Sequence, residues 1–477
     1  MFTVKTSFFK SLSSVGAGAI AVNLGRFLCV IIATKYIPPE KLGLYFLLMA
    51  MIQIFSTVAS CGTNTAIVKF LAEENDAKKK EKIIFSAINM QLCALLITAG
   101  LAVICNNFFS YLDIRPSYLM LFLSLSLFTY LNAVLQGISY FKIISVVNAL
   151  SGALKVGFVA IFVAYFQFGL EGLVVSLILS NIIPIGLQLY ILYKNSSPSS
   201  YIILDAAILK KMLIFSYPLY LNNLFSIAFN KGYTLLIALL LSPTAVAYYS
   251  IAERIPDLLT QARQVYATVF FPEIVSLLKN DPNKAKHLLK ITIELSFVLL
   301  TAASFVFFVA GESIIGLVFS EDYKKSAYAV ALLLLAKPFL YSGSFMGQTL
   351  VALGQNKAPF RINIAITFLI VGLCFYYLPR YGYMAAIYIA LFTSFIGYVA
   401  NNAYLRYCKI YIKLGEIISG MTLSFLLVAA SFVINEKILI YISSSIFCCI
   451  WAVCILYIFK SIYAATKKRD MVHVIAK

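Results

Sequence analysis

Residues 23–53 read NLGRFLCVIIATKYIPPEKLGLYFLLMAMIQ, and residues 228–257 read AFNKGYTLLIALLLSPTAVAYYSIAERIPD. In each, an apolar helix carries one basic residue (Arg26, Lys231), ends in a turn containing proline (Pro39, Pro243), and gives way to a second helix with an early tyrosine (Tyr45, Tyr249). The two stretches lie 205 residues apart, the separation of Arg26 from Lys231. A weaker echo links VLQGISYFKIISVVN (134–148) with VALGQNKAPFRIN (351–363), each a short turn between apolar runs. A repeat of this period with an even number of spans per copy predicts two six-helix bundles of like orientation, related by an axis along the membrane normal, with a site between them.

The remainder of the chain fits a membrane. It is 62% hydrophobic and 12% charged over 477 residues, outside the range of soluble domains. Apolar runs long enough for a hydrocarbon layer of ~30 Å recur almost to the C-terminus. They predict helices at 12–34, 42–70, 83–105, 117–141, 143–166, 170–193, 212–241, 245–276, 288–311, 327–353, 360–378, 382–405, 414–434 and 438–460. The expected fold is thus an all-α polytopic membrane protein of about 14 transmembrane helices. It divides into an N-lobe (1–193), a linker (194–211), a C-lobe (212–405), two accessory helices outside the repeat (406–463) and a tail (464–477). The run at the N-terminus continues past Arg26 and is read as a retained first span, not a cleaved leader.

Charge sets the orientation. With the N-terminus inside, 25 of the 38 basic residues fall in inner segments and seven in outer ones, so an even number of spans is expected, with both termini cytoplasmic. The polar breaks are too short for a catalytic or nucleotide-binding domain, and no G-x-x-x-x-G-K-[ST] motif occurs. Nine cysteines scattered through apolar runs without C-x-x-C spacing point to small buried hydrophobes, so neither metal nor cofactor is expected.

The remaining six basic residues, Arg26, Lys155, Lys231, Arg254, Arg263 and Lys337, lie inside predicted spans. Each buried charge costs ~2.5–3.5 kcal/mol on insertion scales. The acids at comparable depth are Glu253 and Asp257, in SIAERIPDLLTQARQVYATVFFP (250–272). On an ideal helix Glu253, Asp257, Thr260, Gln261, Gln264 and Thr268 share one face, which reads as the wall of a hydrated cavity. Arg254 and Asp257, at i and i+3, are placed to pair. Pro256 is expected to kink this helix, and Lys337-Pro338 and Lys231-Gly232 mark two more sites of irregularity. Even with both acids paired, an excess of positive charge remains, tolerable only around a hydrated cavity or an anionic ligand. Glu253 or Asp257 could carry a coupling ion, while the two histidines, His287 and His473, lie outside the spans and rule out a histidine relay.

The stretches YIPPEKLGLYFLLMAMIQIFSTVASCGTNTAIVKFLAE (36–73), VLQGISYFK (134–142), LSPTAVAYYSIAERI (241–255), VFFPEIVSLLKND (269–281) and LVALGQNKAPF (350–360) resemble the Wzx-like flippases of O-antigen and capsular polysaccharide assembly, in the multidrug/oligosaccharidyl-lipid/polysaccharide exporter superfamily. The resemblance implies two six-helix lobes around a central cavity, alternating access, and a polyprenyl-pyrophosphate oligosaccharide as substrate. It also implies a polysaccharide polymerase and a chain-length regulator as partners, besides membrane lipids, and no nucleic acid. A pyrophosphate suits the buried cations, because arginine binds phosphate in a planar bidentate fork. The lipid II flippases of the superfamily also place an arginine in the second span, whereas residues 42–68 here carry no charge. The alternatives are a multidrug or small-molecule antiporter, for which exposed acids are expected, and a membrane polysaccharide polymerase, for which a large outer loop is expected.

Overall fold

The computed structural model describes residues 22–104, 115–194, 205–355 and 357–408. Helices α1 (22–36), α2 (Pro39–Ser60), α3 (Thr63–Glu73), α4 (Ala77–Ile104), α5 (Pro116–Gly137), α6 (Phe141–Val159), α7 (Gly169–Lys194), α8 (Ala206–Leu240), α9 (Pro243–Asn280), α10 (Pro282–Val318), α11 (Ala327–Ala352), α12 (Lys357–Tyr381) and α13 (Tyr383–Tyr407) follow one another with short breaks. No strand occurs among the described residues. The spans expected at 414–434 and 438–460, and the start of the first, lie outside the described residues.

The apolar runs become helices nearly where expected, with one correction. The single span expected over 42–70 is two helices, because Cys61 (φ 46°) and Gly62 (φ 73°) both adopt the left-handed conformation between α2 and α3. A Cβ on Gly62 would lie 2.9 Å from Cβ of Tyr220, so this position needs glycine both for its φ and for its room. Conversely, the irregularities expected at Lys231-Gly232 and Lys337-Pro338 do not break their helices, which run through both sites. Lys337 and Pro338 sit in a helix whose apolar window is 83% buried, and packing of that density holds a helix together across one missing N–H. α9 likewise continues through Pro256 and Pro272.

Nine helices among the described residues are long and apolar enough to cross a membrane: α2, α4, α5, α6 with its π-helical extension to Tyr165, α7, α10, α11 with the turn before it, α12 and α13. The chain is a multi-pass membrane protein. Large side chains exposed on these helices, such as Phe368 (75%) and Leu317 (81%), belong on a surface facing lipid, where an apolar side chain costs nothing.

The chain folds as two compact units, Met1–Ala247 and Tyr248–Lys477. In the first, α7 packs on α5 and α6, and α8 packs on α2, α3 and α4. Its core includes Ile67, Leu71, Phe85, Tyr130, Leu131, Val147 and Met212. In the second, α11 is the central helix, packed between α10 and α13. Phe270, Phe297, Phe339, Phe345 and Tyr398 fill its core, with edge-to-face pairs Phe270–Phe345 (4.9 Å) and Phe297–Phe339 (5.2 Å).

The repeated sequence pattern has a local structural counterpart. Pro39 opens α2 and Pro243 opens α9, at first-turn positions where proline's missing N–H costs nothing. Tyr45 and Tyr249 follow each proline by the same interval, and both are buried.

Asp281 caps α10. Its side chain accepts from the Lys284 N–H at 3.2 Å and pairs with Lys284 Nζ at 2.9 Å. This ion pair, with the backbone bond beside it, lowers the carboxyl pKa below its ordinary value. A lowered folded pKa means that the contribution is complete above the unfolded pKa of about 3.9 and is lost as pH falls through the folded one. Asp281→Ala is therefore expected to speed limited proteolysis of the α9–α10 turn at neutral pH, and the difference from the parent should shrink toward acid.

Candidate substrate-binding site

Two half-buried cations of the second unit stand on the facing helices α9 and α11. Lys337, Tyr341 and Ser344 stand at i, i+4 and i+7 on α11, one face of a helix. Opposite them on α9 are Pro256, Thr260 and Arg263. Lys337 Nζ donates to Thr260 Oγ1 at 3.3 Å, and that hydroxyl shares a 2.8 Å hydrogen bond with the Tyr341 hydroxyl. Both hydroxyls also reach the Pro256 carbonyl, Thr260 at 3.0 Å and Tyr341 at 3.5 Å. Arg263 Nη1 donates to Ser344 Oγ at 2.7 Å, and its guanidinium lies 5.4 Å from the centroid of the Tyr341 ring.

The chemistry of these partners decides what the pair can bind. Among the described residues no carboxylate lies within 4 Å of Lys337 or Arg263; each is oriented by neutral hydroxyls instead. A hydroxyl fixes the direction of a cation without cancelling its charge. Lysine has three donors and arginine five, so most remain for an anion. Both residues are half-buried, where a charge is worth more than on an open surface.

The rest of the α9 face divides by exposure. Gln264 and Thr268 are exposed, while Glu253, Arg254, Asp257 and Gln261 are half-buried. Tyr248 and Tyr249 are packing residues. Tyr248 lies 5.9 Å from Tyr323 and 5.8 Å from Tyr383, centroid to centroid, and Tyr249 is 2% exposed. Tyr266 differs, being 41% exposed, with its hydroxyl sharing a 2.8 Å bond with Thr292.

The other three cations belong to the first unit. Arg26 is exposed and Lys231 half-buried, with no carboxylate within 4 Å of Lys231 among the described residues. Lys155 is enclosed, at 1% exposure, beside Arg26. The structure thus places Lys337 with Arg263 and Lys155 with Arg26. The hydroxyl partners Tyr341 and Ser344 were not apparent from the sequence. Their signal was the spacing from Lys337, obscured because tyrosine and serine are common in apolar helices. Among the described residues no group of three or more His, Cys, Asp or Glu is placed to hold a metal.

Removing the Tyr341 hydroxyl frees one shared bond and leaves the ring beside Arg263. Tyr341→Phe is expected to weaken anion binding by roughly threefold to tenfold, the effect of a ~0.5–1.5 kcal/mol hydrogen bond, without unfolding the unit. Binding calorimetry with inorganic pyrophosphate checks this.

Helix number and apolar spans define a polytopic membrane fold, and α9 and α11 hold two cations on neutral hydroxyls. The model of the polysaccharide biosynthesis protein family matches residues 32–328, and the chain belongs to that family. It is 26% identical over 136 residues to the capsular polysaccharide biosynthesis protein CapF of Staphylococcus aureus, a match covering 27% of this chain and about a third (34%) of that protein's length. Among solved structures, the lipid II flippase MurJ in an inward closed conformation is similar with a TM-score of 0.69 at 14% identity, covering 96% of this chain and 99% of that one. An inward-facing multidrug resistance transporter of the MATE family is similar at 0.61 and 17%, covering 82% and 94%. A transporter from Pyrococcus furiosus, described as having a binding pocket of reverse polarity, gives 0.51 and 17%, covering 84% and 95%. These likenesses show a shared fold, and two of the three structures are described as transporters of the MOP superfamily.

Proposed function

We propose that this protein is a flippase that carries polyprenyl-pyrophosphate-linked oligosaccharide units, of O-antigen or capsule type, from the cytoplasmic to the outer face of a bacterial inner membrane by alternating access between two six-helix lobes. The observation that carries the reading is the Lys337–Arg263 node, two half-buried cations held by hydroxyls and left with charge to spare. A pyrophosphate supplies the acceptors that such a pair lacks. Arg26, Lys231 and Arg254 would also bind headgroup phosphate, and Glu253 or Asp257 would serve ion coupling. Membership of a polysaccharide biosynthesis family supports the sugar-lipid substrate, and the likeness to a lipid II flippase supports its class.

The headgroup travels while its prenyl tail stays in lipid. Two negative charges moving outward gain about 5 kcal/mol per 100 mV when the interior is negative, so membrane potential suffices as a driving force. A multidrug antiporter of the same fold would need acids facing its cationic cargo, and hydroxyl-held cations are the wrong lining. The polymerase and chain-length regulator that finish the polymer would then meet the product at the outer face.

The genetic test is deletion of the gene in its host, followed by lipid extraction and treatment of spheroplasts with an impermeant sugar-modifying reagent. The reading requires accumulated lipid-linked sugar that the reagent cannot reach. Accumulated sugar that is fully accessible outside would mean that transport is intact, and a polymerase would be the better account.

A further inference from the structure

Lys155 is the buried cation that the headgroup site does not use. It lies about 21 Å along α6 from Phe141, at 1.5 Å per residue, and its amine has no hydrogen-bond partner among the described residues. The side chain is 1% exposed, with Nζ 5.8 Å from the centroid of the Phe128 ring on α5. The titratable groups acting on it are Arg26 and Cys29, both on α1. From α7 the neighbouring turn faces Asn181, which does not titrate. A close helix crossing sets this arrangement: a Cβ on Gly25 would lie 2.8 Å from the Gly152 carbonyl oxygen, so α1 and α6 touch backbone to backbone. That contact brings Arg26 alongside Lys155.

Polar side chains, some buried and some half-buried, follow α6 from below Lys155 toward the α5–α6 turn. Ser151 Oγ donates to Asn181 Oδ1 at 3.4 Å; one turn further, Asn132 Nδ2 donates to Asn148 Oδ1 at 3.1 Å and Gln188 Nε2 donates to Asn132 Oδ1 at 3.0 Å. Asn181 Nδ2 and Gln188 Oε1 are buried without a partner among the described residues. These hydrogen bonds tie α6 to α7 and to α5 at two successive levels below Lys155.

We propose that Lys155 is a proton site coupled to the anion at Arg26: when a headgroup phosphate binds beside Arg26, the Lys155 amine takes up one proton, and it gives the proton back when the headgroup leaves. The lone pair on Nζ accepts the proton from water, and no other bond changes. The cause is electrostatic. A second positive charge beside Arg26 is repelled in the unliganded protein and is attracted once the anion's negative charge is added there. By linkage the anion binds more tightly as pH falls. The inference rests on the reading that Arg26 holds the headgroup.

The test uses the full-length protein in detergent and inorganic pyrophosphate as probe. Calorimetry in two buffers of different ionisation enthalpy counts the protons taken up on binding, and subtracting the value for Lys155→Met removes the ligand's own titration. A difference of about one proton per pyrophosphate supports the proposal; Lys155→Arg, charged throughout, should bind without it. Binding without any difference between parent and Lys155→Met overturns the proposal and leaves the headgroup reading standing. Failure to bind pyrophosphate at all sinks the headgroup reading and the coupled uptake together. Lysine 15N NMR of the unliganded protein then decides whether Lys155 is still a proton site. A resonance absent from Lys155→Met that moves between ammonium and amine as pH is varied keeps it, and a resonance fixed in one form removes it.

Discussion

Replacing Arg263 and Lys337 together by alanine is expected to reduce affinity for inorganic pyrophosphate, and the rate of headgroup transport, by at least 100-fold. Each residue has a charge free for the ligand, and a hydrogen bond to a charged group contributes about 1.5–3 kcal/mol, or roughly tenfold to a hundredfold. The two share a cluster through Tyr341, so their effects should not add exactly. The fold should survive, because the buried aromatic core of the second unit lies on other positions of α9 and α11. Ser344→Ala separates orientation from charge: it removes the 2.7 Å partner of Arg263 and keeps the guanidinium, so a smaller loss is expected. Calorimetry on these variants, with circular dichroism to confirm helix content, measures this. If the double variant binds pyrophosphate as tightly as the parent, the node is structural.

The second large effect is expected at Gly25. Alanine there places a Cβ 2.8 Å from the carbonyl oxygen and 2.9 Å from the Cα of Gly152, both backbone atoms that cannot turn aside. Overpacking of this kind costs ~1–3 kcal/mol, against a gain of about 1 kcal/mol in helix propensity. Gly157, on the same α6, has open space around its own Cβ position. Gly25→Ala should therefore lower the thermal unfolding midpoint of the purified protein and Gly157→Ala should leave it unchanged or raise it. Equal effects would mean that α1 and α6 are not in contact as described. The same variant should weaken any influence of Arg26 on Lys155, because the helices that carry them are pushed apart.

These two sites show what was legible in the sequence. Helices were, since a span needs only an apolar run and a boundary, and Pro39 and Pro243 marked their boundaries openly. The break at Cys61-Gly62 was hidden because both residues are small and interrupt no hydrophobic pattern; only backbone conformation reveals it. The buried cations were legible one at a time, by their cost. Their partners were not, because hydroxyls and amides in apolar helices carry no hydropathy signal, and Tyr341, Ser344, Asn132 and Gln188 acquire meaning only when helices are brought side by side. Helical spacing points only to partners on the same helix, whereas Lys337 found a threonine 77 residues away. Enclosure of Lys155 was likewise unreadable, since burial within a bundle depends on which way α6 is turned.

The central claim is that the protein moves a sugar-pyrophosphate headgroup across a bilayer. The most direct measurement reconstitutes it in liposomes containing a fluorescent polyprenyl-pyrophosphate oligosaccharide and follows exposure of the headgroup to an impermeant quencher, with potential imposed by a potassium gradient. The account predicts protein-dependent movement that accelerates with potential and fails in the Arg263→Ala, Lys337→Ala double variant. Headgroup movement no faster than in protein-free liposomes, or equally fast with the double variant, would contradict it.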